Sequence, residues 1–153
     1  MDIKSCADRP LCEIIRAGDE LILSRWDQHI YPGWGLWPEL GPEGEFQNWF
    51  VIARPRHPIL MRVINRVINM IKLYRYSPLN VGKQAVIRTT GPIPYTLAIE
   101  PILYHHKHRV INSEHEGLMY SSCAEPSSAL KHVNLFKNHY SLSKEPLILD
   151  AIA

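Results

Sequence analysis

An α/β domain with short strands and one long amphipathic helix is predicted for these 153 residues, and three observations predict it. Apolar runs near 20–26 and 48–53 have the length of strands, and Arg54-Pro55 stops the second. Residues 58–75 instead repeat apolar side chains at helical spacing. Loops rich in proline and glycine separate the two kinds of element. The chain is long enough for one domain with its own core, so 1–153 is read as a single domain. Composition is that of an ordinary globular chain, 46% hydrophobic and 21% charged.

In chain order, residues 8–16 read as a short helix with Asp8 as cap and Pro10 in its first turn. Gly18 and Asp19 end it, and 20–26 follows as a strand. Residues 31–44 hold three prolines and four glycines and read as a loop. All four tryptophans fall between Trp26 and Trp49, with Trp34 and Trp37 inside that loop. Two roles are open to them: stacking on a sugar ring, or anchoring a long loop to the body. The run Asn48 to Ala53 reads as a buried strand ended by Arg54-Pro55. His57 reads as a turn or capping residue, and Pro58 suits a first helical turn. In the helix that follows, the apolar set is 60, 63, 64, 67, 68, 71 and 74. Arg62, Asn65, Arg66, Asn69 and Lys72 take the other face. Ser77-Pro78 stops it.

Residues 84–88 are a weaker strand or helix-edge candidate, and Thr89-Thr90-Gly91-Pro92 is a turn before a short helix at 95–100. Residues 109–112 and 117–120 read as weak strands, with a hairpin as one pairing. His105, His106, His108 and His115 form a cluster that could take zinc, copper or nickel. No carboxylate or cysteine stands at a familiar ligand spacing beside them, so a surface cluster is the plainer reading. The three cysteines, Cys6, Cys12 and Cys123, do not resemble a disulfide framework, and the absence of C-x-x-C argues against a zinc ribbon. The first residues do not read as a signal peptide, and no apolar run has the length of a membrane span.

Charge is unevenly spread. Residues 1–45 carry four basic and nine acidic groups, residues 46–99 eight basic and no acidic ones, and residues 100–153 five basic and six acidic. The overall charge of +2 is too small to imply nucleic acid. Most cations of the middle third read as the solvated face of the long helix. A cationic middle also suits an anionic ligand such as a nucleotide diphosphate.

The stretch NWFVIARPRHPILMRVI, followed by TTGPIPYTLAI, resembles the glycosyltransferases of the DXD sugar-binding family, which includes capsular-polysaccharide synthesis enzymes and initiating mannosyltransferases. In that family an Asn-led strand, a turn of the form P-x-H-P, a long helix and a T-G-P loop occur in this order. The resemblance implies a partial GT-A-like domain, the later part of the catalytic unit, whose nucleotide-binding upstream part is absent from these residues. A parallel sheet without its first strands would carry an unpaired edge, so poor solubility is expected.

The resemblance also implies sites. MDIKS looks like the end of the strand that carries the metal-binding carboxylate, which puts Asp2 on Mn2+ or Mg2+ and Lys4 toward the donor. Asn48 and Gly91 would lie near the donor, and Trp34 and Trp37 near the acceptor. Lys137 to Ser141 resembles the family's H-H-x-x-S region, with His139 at the matching position; the tryptophan that often follows there is replaced by Leu142-Ser143. The implied activity is metal-dependent transfer of a sugar from a UDP- or GDP-sugar to a glycan or lipid-linked acceptor, with no nucleic acid involved and no transmembrane segment in this chain. No catalytic residue is assigned. Cytoplasm and Golgi lumen both stay open. A truncated, non-catalytic module of the same descent and a His-cluster metal-binding protein are the alternatives.

Overall fold

The computed structural model describes residues 1–2, 5–121 and 140–148. Lys4, His139 and Cys123 lie outside the described residues. The protein is a mixed α/β fold with two small sheets and four helices among the described residues.

Its centre is β2 (Leu21–Ser24), buried along its whole length. β3 (Ile52–Ala53) pairs with it antiparallel and β4 (Arg109–Ile111) pairs with it parallel, giving the order β3-β2-β4. Alternation along β2 divides the core, because successive strand side chains point to opposite faces. Leu21 and Leu23 pack with Phe46, Ile59, Tyr95 and Ile99. Ile22 packs on the other side with Ile14, Trp49, Phe50, Ile111 and Leu118.

The 48–53 run is a strand only at its end. Phe46 bridges Arg25, and Ile52 pairs with Ile22. Six residues therefore advance opposite three, and 47–51 arch out of the ladder. The reason is that Trp49 and Phe50 are adjacent yet pack in the same cluster with Ile22, whereas neighbouring residues of a regular strand point to opposite faces. Asn48 and Val51 are left exposed.

α2 (Pro58–Leu73) begins as the sequence predicts. Pro58 lies in its first turn, and His57 caps it, accepting a hydrogen bond at Nδ1 from the Ile59 N–H at 3.3 Å. The buried and half-buried side of α2 runs through Ile59, Val63, Val67 and Met70. Ile64, Ile68 and Ile71, expected on the core face, are exposed instead. The 84–88 segment is helical, within α3 (Gly82–Thr89), and α4 (Pro92–Ile99) follows after two residues. A 3₁₀ helix over Glu100–His105 continues α4.

Two further expectations change. α1 is a single turn, Leu11–Ile14, with Pro10 as its N-cap residue and no side-chain cap; the Asp8 backbone N–H bonds to Gly117 O instead. β5 (Leu118–Met119) does not form a hairpin with β4. It pairs antiparallel with β1 (Cys6–Ala7), because the 112–117 turn directs the chain away from β4. Cys6 and Cys12 are exposed free thiols. Among the described residues no helix is long and apolar enough to cross a membrane.

Candidate functional site

The arch of residues 47–51 brings distant segments together beside the C-terminal end of β2. The Asp2 backbone N–H donates to Trp49 O at 2.5 Å. Burial first, and then the Asp2 charge, raise the hydroxyl pKa of Tyr120 and of Tyr140, so the Asp2 carboxylate shares their neighbourhood. Tyr140 begins a 3₁₀ turn, Tyr140–Leu142, that lies on the start of α3. Gly82, at φ +54, permits that contact, since a Cβ there would stand 2.6 Å from Ser143 O.

An aromatic cluster lines the same region. Tyr120 lies 5.6 Å from Trp49 and 5.2 Å from Trp26 between ring centroids. Trp26 in turn meets Tyr31 and Trp34 edge-on, each at 5.1 Å. Such edge-to-face pairs contribute roughly 0.5–1.5 kcal/mol beyond their buried area. Trp34 remains 48% exposed, which leaves part of its ring open to a ligand.

Buried polar groups hold the cluster in place. Glu45 accepts hydrogen bonds from Trp26 Nε1 at 2.7 Å and from Trp37 Nε1. Burial pushes the Glu45 pKa up, while the two indole bonds and the Lys83 charge oppose that rise. Trp37 is thus tied to the body through Glu45, an anchoring role. Gly35, at φ +72, is required beside them: a Cβ there would lie 2.5 Å from Trp26 Cδ1 and 2.8 Å from Glu45 Cγ.

Next along the arch, Gln47 Oε1 accepts from Trp49 Nε1 at 3.1 Å. The Ser113 hydroxyl lies 2.9 Å from both Gln47 Oε1 and Glu114 Oε2, and its one proton serves one of them at a time. Tyr31 hydrogen-bonds Glu114, and burial, then the Glu114 charge and this bond, raise its pKa. Gln47 Nε2 and Glu114 Oε1 are buried without a hydrogen-bond partner among the described residues. Buried polar atoms are nearly always satisfied, so such a donor and acceptor mark a place for water or ligand.

Of the residues singled out from sequence, Asp2 sits against the arch that carries Asn48, and Trp34 and Trp37 border the same cluster. Asn48 itself is exposed, while its neighbour Gln47 is the buried polar group. Gly91 lies in the two-residue corner between α3 and α4. A Cβ there would stand 2.7 Å from Ile87 Cα, so the atoms close around it are those of the α3 backbone. Sequence reasoning passed over Glu45, Gln47, Ser113, Glu114 and Tyr120. Glu45 and Gln47 carried a signal, as polar residues flanking Phe46 at the mouth of a tryptophan-rich loop.

Mg2+ and Mn2+ prefer oxygen ligands, and Mg2+ commonly binds one or two carboxylates together with substrate phosphates and water. Asp2 offers one carboxylate. Among the described residues no group of three or more His, Cys, Asp or Glu is placed to hold a metal ion. A cation at Asp2 would therefore take most of its ligands from a phosphorylated substrate and water, a coordination open to Mg2+.

The histidines have separate surroundings. The His57 ring faces that of His106 at 5.6 Å, and burial first, then the His106 charge, lower its pKa. His105 lies against Tyr104 at 3.8 Å, and His108 Nδ1 is 2.7 Å from His106 O.

The fold is a mixed α/β one that carries an acidic, aromatic cluster on the arch beside β2. No family model, no curated protein and no solved structure matches the chain.

Proposed function

We propose that this chain is the later part of a GT-A-like, metal-dependent glycosyltransferase, moving a sugar from a UDP- or GDP-sugar to a glycan or lipid-linked acceptor. One observation carries the reading. Asp2, the arch at Asn48-Trp49 and the turn that begins at Tyr140, next in sequence to His139, are 46 residues or more apart along the chain, yet the first touches the second and its charge acts on the third. These are three of the segments that the family resemblance singles out. Neither the metal nor the donor need be held by this chain alone.

In this reading the acceptor oxygen bonds to the sugar's anomeric carbon as the bond to the diphosphate breaks, and the acceptor proton passes to the departing phosphate oxygen. Mg2+ or Mn2+, when bound, would supply positive charge against the departing diphosphate. Asp2 would hold that cation, and Gln47 Nε2 would donate to a donor or acceptor oxygen. Trp34 would stack on a sugar ring. The chain supplies positioning and charge stabilisation rather than a nucleophile.

The test is calorimetric titration with UDP and with GDP, each with and without Mn2+. Metal-dependent binding to one of them, lost in Asp2→Ala, is the expected result. A folded chain that binds neither nucleotide sinks the reading. That outcome would favour the truncated, non-catalytic alternative, for which the lone carboxylate at Asp2 is the supporting observation. Zinc binding lost on changing His106 and His108 would instead favour the metal-binding alternative.

A further inference from the structure

We propose that α2 lays its outward apolar stripe on an anionic membrane surface. The inference does not rest on the transferase reading. It starts from the mismatch between the apolar residues that α2 carries and those that it buries. Ile59, Val63, Val67 and Met70 face α4 and the sheet. Met61, Ile64, Ile68 and Ile71 form a second stripe at spacings of three and four, which places them on one side of a helix. Met61 is 59% exposed and Ile64 50%, so this side is uncovered by the described residues. Beyond the helix, Leu79 is 90% exposed.

Charge identifies the occupant. Cations stand at both ends of the stripe: Arg56 in the turn before α2, and Lys72 and Arg75 at its C-terminal end. Among the described residues none of these three has a carboxylate within ion-pair distance. No acidic residue occurs anywhere from 46 to 99. A second copy docked isologously would set these cations against themselves. An anionic lipid surface meets both demands at once, since its headgroups pair with Lys and Arg while its acyl boundary takes the apolar side chains. A helix lying in the interface needs no membrane-spanning length.

The experiment is flotation of the full chain with vesicles of phosphatidylcholine alone or with phosphatidylserine added. Binding is expected only with phosphatidylserine, and it should weaken as salt rises. Ile64→Asp with Ile68→Asp should reduce it about tenfold or more, as should Lys72→Glu with Arg75→Glu. All four side chains are exposed, so melting of the variants should match the parent. Should a double variant fail to fold, Ile68→Trp decides: its added emission shifts to the blue on phosphatidylserine vesicles, or the proposal is wrong. Absence of binding by the folded chain overturns it. So does binding that survives both double variants. A dimer dispersed by Ile64→Asp with Ile68→Asp, with no vesicle binding in the parent, would assign the stripe to a second copy instead.

Discussion

The two faces of β2 are covered on different terms. Leu21 and Leu23 meet Phe46 and a helical layer of Ile59, Tyr95 and Ile99, where Thr96 Oγ1 accepts from the Phe46 N–H at 2.8 Å and the polar atoms orphaned among the described residues, His57 Nε2 and Arg66 Nε, belong to α2 and its cap rather than to the sheet. Ile22 and Ser24 meet a layer where indoles, carboxylates and amides are buried together, and where Gln47 Nε2 and Glu114 Oε1 stay unpartnered among the described residues. An apolar layer gains from every contact and is indifferent to ligand. A polar layer with orphaned groups is less stable than it could be until something completes it. The contrast sets the candidate site, with its buried indoles, amide and carboxylates, on one side of a four-residue strand.

Breaking the helical face should cost most. Leu23→Ala removes a buried side chain and leaves a cavity, and urea unfolding should show a loss of about 2–5 kcal/mol. Gly91→Ala comes next. Its new Cβ would press on Ile87 Cα and Val86 O, both backbone atoms, so α3 and α4 must separate at a cost of about 1–3 kcal/mol. Nucleotide affinity that fell more steeply than this stability would return Gly91 to the donor site.

On the polar face, effects should be smaller in stability and larger in chemistry. Arg109 Nη2 donates to Asp19 Oδ2 at 2.6 Å and to Ile14 O at 2.7 Å. The hydrogen bond from Arg109 is the main cause that holds the Asp19 pKa below its ordinary value of 3.8. A depressed folded pKa contributes stability that is present above the unfolded value and lost as pH falls through the folded one. Asp19→Asn should therefore cost on the order of 1 kcal/mol at pH 7 and progressively less as pH falls below the ordinary Asp range and through the folded pKa, in a series of urea melts. Trp34→Ala should change stability least, by about 1 kcal/mol or less, because half of the ring is already in water. Its expected mark is weaker acceptor binding with donor binding intact, read by titration with each.

Parts of this division were legible in the sequence. β2 and α2 declare themselves through short apolar length and helical spacing, and His57-Pro58 through capping chemistry. The weak elements were not legible, because their form is decided by partners distant in sequence. Residues 84–88 become helical in a unit that packs on the Tyr140–Leu142 turn as well as on α4, and Leu118-Met119 pair with Cys6-Ala7 rather than with their sequence neighbour. Which stripe of α2 faces inward was unreadable too, since seven apolar positions satisfy the same period and only tertiary packing chooses among them. At the site, Asp2 and the loop tryptophans could be named from a resemblance, while Gln47 and Glu114 could not. A buried, unpaired amide is a property of three-dimensional surroundings.

The parallel pairing of β2 with β4 has a consequence for synthesis. Leu21–Ser24 is synthesised almost ninety residues ahead of its second neighbour, Arg109–Ile111. At about 5–20 residues per second, a ribosome leaves that apolar edge open for on the order of ten seconds. A force-sensitive arrest peptide should register the final folding pull only once Ile111 has cleared the exit tunnel. An earlier pull would mean that β2 and β3 can close without it.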